Sequence, residues 1–128
     1  MLGTQDAVAT VAVKNLAAAK QFYGGTLGLK LIDAEGEEAV VYQSGSSRLN
    51  VYRSQFAGTN KATAVTWAVD HIEDEVRSLK AKGVAFEHYT MPGMKLEGDL
   101  HVTDGSSGDF KVAWFKDPDG NIFSIINR

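Results

Sequence analysis

An α+β fold of two β-α-β-β-β repeats is what the sequence predicts, on three observations. Short runs rich in β-branched and aromatic residues dominate, and only two stretches, near residues 16–23 and 72–82, carry the apolar spacing of a helix. Both halves pass through these elements in the same order, with a period of about 60 residues. The last stretch, Lys111 to Asn127, sets two strand-like runs, Val112 to Phe115 and Ile122 to Ile126, around Asp117-Pro118-Asp119-Gly120. In that turn Pro118 presets φ, the Asp side chains cap backbone N–H groups, and Gly120 takes a positive φ without steric cost, so a β-hairpin follows.

Taken in order, residues 1–7 read as a short leader and the first strand as Val8 to Val13. Asn15 is a good N-cap, and Leu16, Ala19, Phe22 and Tyr23 share one helical face before Gly24-Gly25 ends the run. Strands are expected at Lys30 to Asp33, Ala39 to Gln43 and Arg48 to Arg53, with Ser44 to Ser47 as the turn between the last two. Residues 54–62 form a linker, so the single domain 1–128 divides into a first module, 8–53, and a second, 63–127.

The second module starts with a strand from Ala64 to Val69, and Asp70 with Glu73 reads as a capping box opening a helix. Ile72, Val76 and Leu79 form its apolar face, acidic residues sit at its start, Lys80 and Lys82 at its end, and Gly83 stops it. Val84 to Tyr89 reads as the next strand, and Thr90 to Asp109 as a long loop containing His101, Met91 and Met94. A connection of that length in so small a domain suits a lid as well as a disordered segment.

The repeat holds residue by residue: adding 56 carries Thr10 to Thr66, Val11 to Trp67 and Val13 to Val69. Both first strands alternate a large apolar face with a small or weakly polar one, Val8, Thr10 and Ala12 or Ala64, Thr66 and Ala68. The small face fits either tight sheet packing or the wall of a cavity.

Bulk composition narrows the partners. The 128 residues are 44% hydrophobic, enough for one packed domain, and contain no cysteine, which excludes disulfides and thiolate metal sites. A formal charge of −3 argues against nucleic acid and anionic membranes as partners. No apolar run approaches the roughly 20 residues of a membrane span, and no signal-like start is present, so a soluble, cytoplasmic protein is expected.

Two motifs carry a family resemblance. Val11-Ala12-Val13-Lys14-Asn15-Leu16 running into Ala19-Lys20-Gln21-Phe22-Tyr23 and Leu27-Gly28-Leu29 is similar to the opening strand, helix and turn of the vicinal oxygen chelate superfamily, the glyoxalase, bleomycin-resistance and extradiol-dioxygenase group. The aromatic strand, Asp117-Pro118-Asp119-Gly120-Asn121 and closing strand resemble its C-terminal signature. The resemblance implies curved mixed sheets around a cavity, which favours the cavity reading of the small strand faces.

Metal-dependent members of that superfamily take ligands from the first and last strands of each half. The resemblance places those positions at Val8, Asn50, Ala64 and Ser124, none a competent ligand except, weakly, Asn50 through its amide oxygen. No metal and no cofactor are therefore expected. His71 reads as a solvated or capping residue, His88 as a strand residue, and neither these nor His101 rebuild a metal site. Alternation turns Arg48 and Tyr52 the way of Asn50, so candidate ligand-binding residues are Thr10, Arg48, Asn50, Tyr52, Thr66, Tyr89, His101, Trp114 and Ser124. Trp114 is either core or an aromatic platform.

Three functions fit. One is a metal-free binding protein of the bleomycin-resistance kind, a homodimer sequestering an antibiotic or metabolite. The second is a lyase, isomerase or dioxygenase of the lactoylglutathione lyase kind. The third is an interaction domain with no small ligand. The missing ligands favour the first over the second, and the small polar faces favour it over the third.

Overall fold

A computed structural model describes residues 1–103 and 110–128 of the chain. The expected lid residues Asp104 to Asp109 lie outside the described residues. The fold is α+β with two mixed sheets. By contact the chain divides into two compact units, Met1–Thr59 with Pro118–Asn121, and Asn60–Asp117 with Ile122–Arg128.

In the first unit, β1 (Ala9–Val13), α1 (Leu16–Lys20), β2 (Lys30–Glu35), β3 (Ala39–Ser44) and β4 (Ser47–Arg53) follow one another. The sheet order is β1-β4-β3-β2, with β1 and β4 parallel and the other pairs antiparallel. Asn15 caps α1 as expected, its side-chain oxygen accepting the Ala18 N–H at 3.1 Å. Gly24-Gly25 does not end the helical backbone there: a wide π-helical turn carries it to Thr26, closed by the Leu27 N–H on the Phe22 carbonyl at 2.9 Å. The core gathers Val11, Val13, Leu16, Ala19, Tyr23, Val40, Tyr42, Leu49 and Val51, all buried. Tyr23 stacks on Tyr42 with ring centres 5.9 Å apart, and burial pushes the Tyr42 phenol above its usual range.

The second unit holds β5 (Thr63–Val69), α2 (Ile72–Ala81), β6 (Phe86–Glu87), β7 (Met94–Glu97), β8 (Leu100–Thr103), β9 (Lys111–Lys116) and β10 (Ile122–Asn127). Its order is β5-β10-β9-β8-β7, with β6 also paired to β9. Ile72, Val76 and Leu79 bury the helix face the sequence marks, and Trp67, Phe86, Phe115 and Phe123 form an aromatic cluster on the sheet. The end of α2 is a Schellman closure: Gly83 N–H bonds the Lys80 carbonyl and Val84 N–H the Leu79 carbonyl, each at 3.0 Å.

Three expectations are corrected here. The capping box does not form, because α2 starts one residue later with His71 at its N-cap and no side-chain cap bond. Asp70 instead accepts from Arg128 Nε at 2.9 Å, and Glu73 pairs with Lys111. The sixth strand shrinks from Val84–Tyr89 to two residues, since β6 meets only one end of β9. The other end of β9 is taken by β8, and Met94–Glu97 with Leu100–Thr103 form an antiparallel hairpin where the sequence suggests an irregular loop.

Candidate functional site

Strand pairing in the second unit assembles the site. In β5, β10, β9 and β6 the register sets Thr66 beside Ser124, Ser124 beside Trp114, and Trp114 beside Glu87. Residues in register share a sheet face, so these side chains form a row. The Thr66 and Ser124 hydroxyls lie 2.8 Å apart, which satisfies the buried Ser124. The next row on the same face runs Ala68, Ile126, Val112 and His101.

His101 is buried, and both its ring nitrogens are engaged by backbone. Nε2 accepts the Tyr89 N–H at 2.9 Å, which requires an unprotonated nitrogen there, and Nδ1 donates to the Val112 carbonyl at 3.3 Å. The ring is thus a neutral tautomer with its proton on Nδ1, locked by two partners that cannot exchange roles. Its part is to hold the aromatic rings above it. Trp114 meets His101 edge-on with centres 4.8 Å apart, Tyr89 stacks on His101 at 6.1 Å, and Tyr89 meets Trp114 edge-on at 5.4 Å. Trp114 is therefore an aromatic platform on the open face; Trp67, on the other face, is the one that packs against Phe115 and Phe123.

Tyr89 and Trp114 line a cleft of about 520 Å³ together with Lys61, Ala62, Thr63, Lys116 and Ile122. The indole Nε1–H donates to the Thr63 hydroxyl at 3.1 Å, which fixes the ring plane. Thr63, Lys61 and Lys116 are absent from the sequence-derived set. The signal for Lys116 was its spacing of two from Trp114, unusable until the facing of Trp114 was known.

The remaining candidates gather on one face of the first unit's sheet. Thr10 is in register with Asn50, and Asn50 with Val41 and Asp33 through β3 and β2. Arg48 and Tyr52 flank Asn50 on this face and are exposed, while the intervening Leu49 and Val51 are buried. The two rows are equivalent, Thr10 and Asn50 in one unit answering Thr66 and Ser124 in the other. They differ where recognition by stacking needs it: the place of Trp114 is taken by Val41.

The positions that the resemblance marks for metal ligands do not suit a metal. Val8 precedes β1 and Ala64 sits at a register shift in β5, and neither side chain has a donor atom. The Ser124 hydroxyl is engaged with Thr66, and Asn50 has only an amide oxygen to offer. Among the described residues no three His, Asp or Glu side chains converge as a metal-binding group.

Two units, each a helix with a mixed sheet whose first and last strands run parallel, have the composition of a glyoxalase-like fold. The chain belongs to the Glyoxalase/Bleomycin resistance protein/Dioxygenase superfamily, whose model matches residues 5–125. A glyoxalase family protein from Enterococcus faecalis is similar over 98% of this chain and 99% of its own, at 20% identity and a TM-score of 0.72. The genomically encoded fosfomycin resistance protein from Listeria monocytogenes covers 98% of this chain and 93% of its own, at 12% identity and a TM-score of 0.71. An antibiotic binding protein from a Streptomyces species covers 97% of each chain, at 19% identity and a TM-score of 0.61. At these identities the likeness is one of fold. No curated protein sequence matches the chain. No described helix is long and apolar enough to cross a membrane.

Proposed function

We propose that this chain is a binding protein that holds a small organic molecule, an antibiotic or a metabolite, without a metal ion. The observation that carries the reading is the Trp114–Tyr89 platform: two partly exposed aromatic rings, braced by a buried His101, beside a cleft of ligand size. Donor-poor side chains at Val8, Asn50, Ala64 and Ser124 support sequestration over the metal-assisted chemistry of the superfamily. Fold kinship with an antibiotic binding protein is compatible with it. The proposed protein is a cytoplasmic homodimer, since pairing covers open strand edges.

Thermal unfolding of the protein with divalent metals, then with aromatic antibiotics and small carboxylates, tests the reading. Binding stabilises by mass action, by about 2.7 kcal/mol at a hundredfold excess over Kd. A shift with an organic ligand that Trp114→Ala abolishes supports the proposal. A shift with Zn, Ni, Fe or Mn overturns it and favours an enzyme. Light scattering at micromolar concentration separates dimer from monomer.

A further inference from the structure

We infer that the Trp114–Tyr89 cleft selects planar aromatic molecules that carry an acid group, and this rests on reading the cleft as the ligand site. Two lysines, Lys61 and Lys116, line it, and among the described residues no Asp or Glu is part of the lining, although Glu87 pairs with Lys116 from beside it. The two described clefts of the first unit are different: beside Lys14 and Arg53, each is itself lined by a carboxylate, Glu37 or Glu38. A cleft margin with two cations on a chain of net charge −3 runs against the background charge.

The geometry separates a stacking zone from a polar one. Lys116 lies two residues beyond Trp114 on the same face of β9, about 6.6 Å along the strand. In register with Lys116 is Ile122, and with Ile122 is Thr63, so Lys116 and Thr63 stand about 10 Å apart across β10 with an apolar floor between them. Thr63 uses its oxygen to accept the Trp114 N–H, which leaves its own O–H to donate. Lys61, two residues before Thr63, adds a second cation to that margin. A ring laid on Trp114 and Tyr89 thus brings a substituent one ring-width away beside the Lys116 and Lys61 ammonium groups and the Thr63 hydroxyl.

Lys116 is not idle without ligand: its Nζ lies 3.1 Å from Glu87 Oε1, and both side chains are partly exposed. Such a pair is weak, so an incoming carboxylate, sulfonate or phosphate competes with Glu87 for the ammonium at little cost.

Three probes that share one ring system test this: 2-naphthoate, 2-naphthalenemethanol and 2-naphthylmethylammonium, with affinities measured by calorimetry on the full chain. The expected order is naphthoate tightest, by about fivefold to tenfold over the alcohol, and the cation weakest. Raising the salt narrows the gap. Lys61→Gln with Lys116→Gln weakens naphthoate more than the alcohol. Equal binding of all three probes, lost in Trp114→Ala, overturns the charge selection while the cleft remains the ligand site. Binding of none, or binding indifferent to Trp114→Ala, overturns both.

Discussion

Asn121 donates its side-chain Nδ2–H to the main-chain carbonyl of Ala12 at 2.7 Å, a bond that spans 109 positions of sequence. Two residues away, Asp119 Oδ2 accepts the Lys14 N–H at 3.1 Å. The Asp-Pro-Asp-Gly-Asn turn is therefore more than a reversal of the chain: its polar side chains satisfy the backbone at the end of β1. Asn121 and Asp117 are correspondingly buried, although both are polar and lie in a turn.

Removing the Asn121 amide strands the Ala12 carbonyl. Asn121→Ala is expected to destabilise the protein by about 1–3 kcal/mol, read as a lower denaturant midpoint in urea with little change of slope. Asn121→Asp removes the donor and sets a carboxylate against a carbonyl, so it is expected to be at least as damaging.

Gly58 faces the same turn. Its φ is +74°, and a Cβ there would stand 1.9 Å from the Asp119 carbonyl oxygen, with backbone on both sides of the clash. Gly45, with φ +58°, has nothing within 4 Å of the same atom. Gly58→Ala is expected to cost several kcal/mol and to lower Tm steeply, whereas Gly45→Ala costs only the left-handed strain of about 1 kcal/mol. Equal losses in calorimetry would mean that the turn shifts away from Gly58 freely.

The two tryptophans are expected to separate binding from folding. Trp67→Ala removes the half-buried ring that packs on Phe115 and Phe123 and is expected to cost about 2–3 kcal/mol, below the range for a fully buried aromatic. Trp114→Ala leaves that core intact, so its stability loss is expected to be smaller and its loss of ligand affinity larger. Paired unfolding and calorimetric titrations of the two variants decide it.

Acid sensitivity is expected from Asp99. Lys80 Nζ at 2.7 Å, and then His88 Nε2 at 2.8 Å, hold its carboxyl below the usual carboxylate range. A depressed folded value means the unfolded chain binds the proton more readily. The stabilisation is thus complete above the ordinary Asp value, about 3.9, and disappears as pH falls through the lower folded value. Asp99→Asn is expected to lower the urea midpoint at neutral pH, with the gap from the parent protein closing below about pH 4.

Much of this was legible in the chain itself. Strand alternation, the Asn15 cap, the Asp117 to Gly120 turn and the 56-residue offset from Thr10 to Thr66 are local or periodic signals, and local sterics and side-chain alternation suffice to read them. The same alternation placed Thr66 among the candidates, while Ser124 came from the family resemblance and the facing of Trp114 stayed open. What lay beyond it depended on partners distant in sequence. Asp70 has good capping chemistry, yet Arg128, 58 residues on, holds it elsewhere. His101 reads as a loop residue until Val112 and Tyr89 supply the backbone groups that make it a buried brace. Trp114 has two faces to choose from, and only its register against Ser124 and Glu87 decides which one is wet. Sequence alone determined most of the elements and their order, the β7–β8 hairpin excepted, because these follow from each residue's own conformational and solvation preferences. Tertiary structure alone decided which side chains converge into a cleft, because register is a property of pairs of strands.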